Sequence, residues 1–289
     1  MNKYIIAFLL IIPTISFSQS LGSERIERLN KSVVRILIDT IPSGTGFFVH
    51  DSGWIATCHH VIEPAYIRDN KTNQITGMKT LYAEFRNGEK VELGIMTYLL
   101  NQGYKDAYLY DYSLLKTQTD PKTDFKTLKI GSWSNVDEGD IVYSCGYPLG
   151  IKQRFISQGI LSTKWTDTLT LIRNTVSIGK FPREVAWLDL TMNKGNSGGA
   201  VIKLGETPKD DEVIGIATFI LNPFANEAGQ LADFLSSGQM QMDLVMGGIS
   251  NNKINELYAK AIANNSIGVS GCISIDYVYQ ILRLMNPKK

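Results

Sequence analysis

Cysteine is scarce in this chain, and its distribution excludes a fold that is held together by disulfides. The three cysteines, Cys58, Cys145 and Cys272, lie far apart and form no CxxC pair. An odd number leaves at least one thiol unpaired within a monomer. We interpret the cysteines as small buried apolar residues and predict that function does not depend on a disulfide. A Cys58–Cys145 pair stays open as an alternative.

An excess of charge of one sign is also missing. The 289 residues include 29 basic and 28 acidic side chains, which gives a formal net charge of +1. Nucleic acids and anionic membranes attract proteins largely through clustered positive charge. The near-neutral composition therefore predicts no nucleic-acid partner.

Long apolar runs are absent except at the start of the chain. An apolar stretch from Tyr4 to Ile15, interrupted by Pro13, follows Lys3 and precedes Ser16-Phe17-Ser18. A basic start, an apolar segment too short to cross a bilayer and small residues after it predict a secretory signal peptide over residues 1–18. We expect a secreted or periplasmic protein without a stable membrane span after signal removal. An N-terminal membrane anchor is the alternative.

The remaining residues consist mainly of short strand-like segments separated by turns. The segments 81–85 and 90–94 flank Asn87-Gly88, which is a strong hairpin signal. The polar segment 117–124 is the best candidate for a linker, and it divides the chain into units over 19–120 and 121–289. Many short strands divided by one linker predict an all-β chain of two β-barrels.

Later strands and three helices are also predicted from the residue pattern. Separate strands are expected over 158–164, 168–172 and 185–190. Helical spacing and capping signals predict helices over 23–31, 252–263 and 276–284, with Ser23 and Asp276 as caps of the first and last.

The motif with the most chemical content is Gly195-Asn196-Ser197-Gly198-Gly199. Glycines around a serine allow a sharp turn that exposes the hydroxyl and converges backbone N–H groups on one point. The motif fits the nucleophile elbow of an α/β-hydrolase, whose histidine follows the serine. The histidines of this chain, His50, His59 and His60, all precede Ser197. An α/β-hydrolase fold would therefore lack its catalytic histidine.

Three segments resemble the signature segments of one protease family. They are Gly44-Thr45-Gly46-Phe47-Phe48-Val49 with Thr57-Cys58-His59-His60-Val61, then Asp111-Tyr112-Ser113-Leu114-Leu115-Lys116, and finally Asn193-Lys194-Gly195-Asn196-Ser197-Gly198-Gly199. In this order they resemble the trypsin-fold serine proteases, and most closely the bacterial HtrA (Deg) branch. The resemblance implies two packed six-stranded antiparallel β-barrels. A C-terminal helix and a partly helical insertion near 225–265 complete the expected fold.

The resemblance also implies a catalytic triad. His60 is the expected general base, Asp111 its orienting carboxylate and Ser197 the nucleophile. The N–H groups of Gly195 and Ser197 are the expected oxyanion hole. His59 is the rival base and Asp106 the rival acid. The Cys58-His59-His60 run has cramped spacing and no second ligand cluster, so no metal site is predicted, and neither is a cofactor.

By the same resemblance, the substrate side chain before the scissile bond enters a pocket with Thr191 at its bottom. Met192 and Ile220 are the expected apolar walls. Because Thr191 carries no carboxylate, we do not expect the pocket to prefer a Lys or Arg side chain before the scissile bond. Small or medium aliphatic side chains are expected instead. The strand that contains Thr218, Phe219 and Ile220 is expected to pair with a protein or peptide substrate. Thr218 is also expected to form a hydrogen bond with Asp111 on the side away from His60.

Three departures from the family pattern affect the interpretation. Lys194 replaces the usual proline beside the oxyanion turn. The insertion 225–265 is a candidate lid over the non-primed side of the cleft, and a surface helix packed away from the site is the alternative. No PDZ domain such as the HtrA proteases carry is expected. The leading interpretation is a serine endopeptidase, and the alternative is a non-catalytic binding or scaffolding protein that keeps the protease fold. The oligomeric state stays open.

Overall fold

Two closed β-barrels of six antiparallel strands each dominate the part of the chain that the structure describes. The structure, a computed structural model, describes residues 21–72, 74–96, 110–173, 176–220, 245–246, 249–250 and 269–285. The all-β fold class and the two six-stranded barrels are therefore confirmed. The predicted signal peptide and the predicted helix over 252–263 lie outside the described residues.

The first barrel has the strand order β1-β2-β3-β8-β7-β6. Its strands are β1 Val33–Ile38, β2 Ile41–His50, β3 Trp54–Thr57, β6 Leu81–Glu84, β7 Lys90–Ile95 and β8 Ser113–Thr117. A small two-stranded ladder, β4 Tyr66–Arg68 with β5 Ile75–Met78, lies beside it. The β6–β7 hairpin confirms the Asn87-Gly88 turn signal, because Gly88 has the positive φ of +89° that such a turn requires.

The second barrel has the strand order β10-β11-β16-β13-β12-β9. Its strands are β9 Ile141–Gly146, β10 Phe155–Arg173, β11 Val176–Asp189, β12 Ala200–Lys203, β13 Glu212–Ile220 and β16 Val269–Ser274. Within the predicted insertion, the described residues form one short ladder of β14 Val245–Met246 with β15 Ile249–Ser250. β8 ends at Thr117 and β9 begins at Ile141, and the domain limits at 120 and 121 stay a prediction.

The β10–β11 hairpin corrects the predicted strand pattern. The segments 158–164 and 168–172 belong to one strand, and the ladder runs from Ile160 opposite Asp189 to Arg173 opposite Val176. The predicted break between the two segments, at residues 165–167, is therefore wrong. Asp167 instead lies directly opposite Arg183, and their side chains form an ion pair at 3.0 Å. Opposite charges on facing positions stabilise a ladder through a polar stretch.

Helices contribute little to the described fold. They are α1 Gly22–Ser32, α2 His59–Ile62 and α3 Asp276–Met285, with short 3₁₀ turns at Glu63–Ala65, Trp133–Asn135 and Pro148–Gly150. α3 confirms the predicted terminal helix. The prediction of Ser23 as a cap is wrong, since α1 begins at Gly22 and Leu21 holds the capping position. Among the described helices, none has the length and apolar character needed to cross a bilayer.

Contacts between residues far apart in sequence hold the two barrels together. Arg25 of α1 forms a buried ion pair with Asp211 before β13, at 2.7 Å from Nε to Oδ2. Arg35 of β1 donates from Nη1 to the carbonyl of Gly150 at 3.0 Å. A shared apolar core continues from the first barrel into the second. These contacts set the position of the cleft between the barrels.

Candidate active site

The turn that carries Ser197 lies between β11 and β12 and depends on two glycines. Gly195 and Gly198 have positive φ values of +101° and +85°, in a region that favours glycine. A Cβ atom at Gly198 would also collide with the Thr45 carbonyl oxygen and the Thr57 hydroxyl. The N–H of Gly198 donates to the Ala217 carbonyl at 2.8 Å. The turn therefore contacts the first barrel on one side and β13 on the other, and Ser197 is half-buried.

Thr45 of β2 binds this turn from the first barrel. Its N–H donates to the Ser197 carbonyl at 2.9 Å, and its hydroxyl donates to the Gly195 carbonyl at 2.7 Å. The same hydroxyl accepts from the N–H of Tyr147 at 3.0 Å. Orienting the Gly195 carbonyl inward also sets the direction of the peptide groups around Ser197. Sequence reasoning missed this role, although Thr45 stands in the Gly-Thr-Gly-Phe segment.

His60 lies in α2, directly after β3. Its Nδ1 is 2.8 Å from Oδ2 and 3.0 Å from Oδ1 of Asp111, and its backbone N–H donates to Oδ1 at 2.9 Å. A carboxylate only accepts hydrogen bonds, so Nδ1 carries the proton in this arrangement. In the neutral ring Nε2 is then unprotonated and able to act as a base. The side chain is 43% exposed, so the ring is accessible from solvent.

Asp111 lies in the turn before β8 with a φ of +54°, which is uncommon for a residue other than glycine. Its carboxylate also accepts from the hydroxyl of Thr218 on β13, as the sequence predicted. Burial raises the pKa of Asp111, but hydrogen bonds and attraction from His60, together with the Thr218 hydroxyl, hold it below its usual value. Asp111 is therefore ionised at neutral pH. The rival acid Asp106 lies outside the described residues.

His59 occupies a different environment from His60. It is 3% exposed, its Nδ1 lies 3.4 Å from the Ser113 hydroxyl, and its ring is tilted against Tyr66 at a centroid distance of 6.0 Å. Burial lowers its pKa below the usual value. The structure thus places His60, and not His59, against Asp111.

Cys58 lies behind the acid. Its thiol is 3.2 Å from the Ala217 carbonyl, and burial followed by the nearby Asp111 charge raises its pKa well above the usual value. The ligand atoms of Cys58, His60 and Asp111 lie within 4.8 Å of one another. This grouping could hold a metal ion only if the thiol lost its proton and the His60–Asp111 bond opened. All three cysteines are free and buried, and the Cys58–Cys145 pair is not formed.

The predicted substrate-binding residues are divided between surface and core. Thr191 is exposed, whereas the next side chain, Met192, is 2% exposed and packs in the core of the second barrel. Met192 therefore presents no open pocket wall here. Thr218 is half-buried beside Asp111. In the β13–β16 ladder, Phe219 pairs with Gly271 and Ile220 with Ser270, and their side chains lie outside the described part.

Two cavities flank the site. One of about 370 Å³ lies beside the turn, where Gly195, Lys194 and Tyr147 line it together with the β2 residues Pro42, Ser43 and Gly44. The other, of about 420 Å³, borders Asp111 and Thr218 and is lined by Trp165, Trp187 and the Asp167–Arg183 pair. The cavity of about 370 Å³ thus contacts the turn that carries Ser197, and the cavity of about 420 Å³ contacts Asp111.

The sequence and the fold were compared with known proteins. The model of the trypsin-like peptidase domain matches residues 44–216, which contain Ser197, His60 and Asp111. A protein named serine protease HTR4, from Rattus norvegicus, is 28% identical over 200 residues, covering 67% of this chain and 33% of that protein. A probable periplasmic serine endoprotease, DegP-like, from Chlamydia muridarum is 27% identical over 189 residues, covering 62% and 28%.

The chain thus spans about a third or less of the length of these two relatives. Among solved structures, an HtrA-type protease AlgW with decapeptide superposes with a TM-score of 0.54 at 15% identity. That superposition covers 91% of this chain and 67% of the other. At this identity the likeness concerns the fold.

Proposed function

The chain belongs to the trypsin-like peptidase family, and from that premise we propose that it is a serine endopeptidase. Ser197 is its nucleophile, His60 its general base and Asp111 the carboxylate that orients the base. The observation that carries the proposal is the hydrogen bond of 2.8 Å between His60 Nδ1 and Asp111 Oδ2. It leaves Nε2 of His60 available to take a proton from a serine hydroxyl.

The proposed reaction has two stages. Ser197 Oγ attacks the carbonyl carbon of the scissile peptide while His60 Nε2 removes the hydroxyl proton. The N–H groups of Gly195 and Ser197 stabilise the negative charge that develops on the carbonyl oxygen. His60 then protonates the leaving amine as the C–N bond breaks, which leaves an acyl group on Ser197. Water, deprotonated by His60, hydrolyses this ester and restores the serine.

Asp111 contributes by position and charge. An ionised carboxylate stabilises the imidazolium that forms during attack and holds the ring in the tautomer that leaves Nε2 free. Bonds from the His60 backbone and the Thr218 hydroxyl hold the carboxylate from two sides. Its lowered pKa keeps it charged across the neutral range.

The proposed substrates are proteins or peptides that bind as an added strand along Thr218–Ile220 of β13. Thr191 supplies no carboxylate to the pocket for the side chain before the scissile bond, so cleavage after small or aliphatic residues is proposed. Phe219 and Ile220 belong to this proposed pocket, whereas Met192 packs in the core of the second barrel and forms no open wall of it. A periplasmic relative and the signal-like residues 1–18 support a secreted or periplasmic location.

A fluorophosphonate probe tests the proposal, because it reacts with a serine that an adjacent base activates. We expect stoichiometric labelling that maps to Ser197, and a loss of kcat in Ser197→Ala of roughly 10⁴-fold or more. Ser162→Ala, which removes an exposed hydroxyl on β10, is the matched control and should keep full labelling. Peptidase activity that survives in Ser197→Ala would refute the assignment. A folded wild-type protein that neither labels nor cleaves would favour the non-catalytic scaffold.

A further inference from the structure

The cavity beside the serine turn is lined by one buried polar group that the described part of the chain leaves unpaired, and a second such group lies close to the first. Tyr147 lines it and is only 3% exposed, yet its buried hydroxyl has no hydrogen-bond partner among the described residues. Two buried nitrogens of Arg154, Nε and Nη1, likewise have none there. Buried polar groups are normally paired, so donors left unpaired here are available to a water, an ion or a ligand.

The two unpaired side chains are neighbours. Arg154 directly precedes Phe155, which pairs with Gly146 next to Tyr147 in the β9–β10 ladder. Burial raises the pKa of Tyr147 to about 12, and the positive charges of Arg154 and Arg35 act against that rise. The hydroxyl therefore stays protonated and is a hydrogen-bond donor toward an anion.

The remaining charges around the cavity also favour an anion. Arg35 donates to the Gly150 carbonyl on the cavity wall, and its own charge is balanced by Glu84. Glu84 is paired with Arg35, although its negative charge still contributes to the raised pKa of Tyr147. Lys194 lines the cavity next to Gly195 with its side chain exposed. Arg154 and Lys194 are left as positive charges without a described acidic partner.

The position of the cavity indicates which part of a substrate reaches it. The acyl segment is proposed to pair with β13, and no lining residue of this cavity belongs to β13. Its walls are β2 at Pro42–Gly44 and the turn at Gly195, on the other side of Ser197. A peptide that crosses the serine must therefore carry its leaving-group residues toward this cavity.

We propose that this cavity is a subsite for a carboxylate in the leaving-group segment of the substrate, with Arg154, Tyr147 and Lys194 as the groups that recognise it. The inference rests on the proposed peptidase function and specifies its substrate. A guanidinium, a phenol and an ammonium together supply hydrogen-bond donors, which suits a carboxylate, and the nearby Glu84 is already paired with Arg35. The carboxylate comes either from an acidic side chain soon after the scissile bond or from the terminus of a short leaving segment.

Three matched peptides distinguish these sources. They share one acyl segment, and their leaving segments have an acidic side chain with an amidated end, a neutral side chain with a free carboxyl end, or neither. We expect the wild type to cleave at least one carboxylate peptide with a kcat/KM about tenfold above that of the neutral peptide. Preference for the first identifies a side-chain subsite, and preference for the second identifies recognition of the chain terminus. Equal rates for all three would overturn the proposal.

Variants then assign the preference to the cavity. Arg154→Gln should reduce the ratio of carboxylate to neutral peptide to about one, and Tyr147→Phe, which keeps the ring, should lower it by a factor of a few. Lys152→Gln removes an exposed positive charge two residues from Arg154 and should keep the wild-type ratio. If Arg154→Gln keeps the preference, or if Lys152→Gln abolishes it, the assignment is wrong. The ratio is read only in variants whose melting temperature matches the wild type. If Arg154→Gln does not fold, Tyr147→Phe decides the assignment.

A binding measurement separates this inference from the proposed function. Ser197→Ala protein is titrated calorimetrically with a leaving-segment peptide that ends in a carboxylate and with its amide. Tighter binding of the carboxylate form by about tenfold, lost in the Ser197→Ala, Arg154→Gln double variant, supports the subsite even if the probe fails to label Ser197. Equal affinity for both peptides refutes the subsite while leaving the triad intact.

Discussion

Tyr110 and Tyr277 stack face to face, with ring centroids 4.5 Å apart and planes inclined by 9°. Tyr277 belongs to α3, and it also stacks on Tyr112 at 6.0 Å. The two tyrosines that contact it flank Asp111, whose φ of +54° is an unusual backbone conformation. Tyr277 in turn accepts a hydrogen bond from the N–H of Glu184 on β11 at 2.8 Å. The C-terminal helix thus connects the acid-bearing turn of the first barrel to the second barrel.

This stack predicts a role for Tyr277 in positioning Asp111. Tyr277→Leu removes the aromatic partner of Tyr110 and Tyr112. We expect kcat to fall about tenfold, because a tenfold change in rate corresponds to about the free energy of one aromatic pair. KM should change little, because the ring contacts no proposed substrate residue. Steady-state kinetics on a peptide measure both constants. Tyr277→Phe should restore most of kcat, and Tyr279→Leu, which changes an exposed ring on the same helix, is the control. An unchanged kcat in Tyr277→Leu would remove this role.

Thr45 should matter for the oxyanion turn. Thr45→Val keeps the shape but removes the donor to the Gly195 carbonyl and the acceptor for the Tyr147 N–H. Because loss of one oxyanion donor costs about 10²–10³-fold in kcat, misorienting the turn should cost about tenfold or more. Burst kinetics of acyl-enzyme formation measure this step. Thr45→Ser should recover the rate, and Thr166→Val on β10 should leave it unchanged. If Thr45→Ser is as slow as Thr45→Val, the loss of rate would come from packing and not from the hydrogen bond.

The Arg25–Asp211 ion pair should contribute strongly to stability. Arg25 donates to Asp211 and to the Gly205 carbonyl, and Asp211 is 1% exposed. Arg25→Leu leaves a buried carboxylate without its cation, so the free energy of unfolding should fall by about 3 kcal/mol. Urea denaturation measures the loss. Replacing both partners by leucine should recover part of it, because no unpaired charge stays buried. Lys31→Ala, at an exposed pair on the same helix, should have little effect.

His59 should make the fold sensitive to mild acid. Burial lowers its pKa below the usual value of 6.5. The unfolded chain therefore takes up a proton near pH 6.5, while the folded protein takes it up only at lower pH. This contribution to stability is complete above pH 6.5 and is lost as the pH falls toward the lowered pKa. Between about pH 7.5 and 5.5, the melting temperature of the wild type should fall more than that of His59→Gln. Parallel pH profiles for the two proteins would contradict this assignment.

Local chemistry explains what the sequence by itself determined. Alternating strand residues and Gly or Pro turns predicted the two barrels, and an Asn-Gly pair predicted the β6–β7 hairpin. The spacing of apolar residues after Asp276 predicted α3. Each of these signals depends on residues within a few positions of one another. The Gly-x-Ser-x-Gly turn and the scarcity of histidine also restricted the candidate chemistry before any fold was known.

Only the tertiary structure decided the relationships around the candidate site. Thr45 bonds to Gly195, and Tyr277 stacks on the residues beside Asp111, across long stretches of sequence. The motif already favoured His60 over His59, and the packing of α2 on the barrel brings the His60 ring against Asp111. Met192 packs in the core of the second barrel, whereas its neighbour Thr191 is exposed. These relationships arise from how two barrels pack together, and a linear pattern carries no information on contacts that packing alone creates.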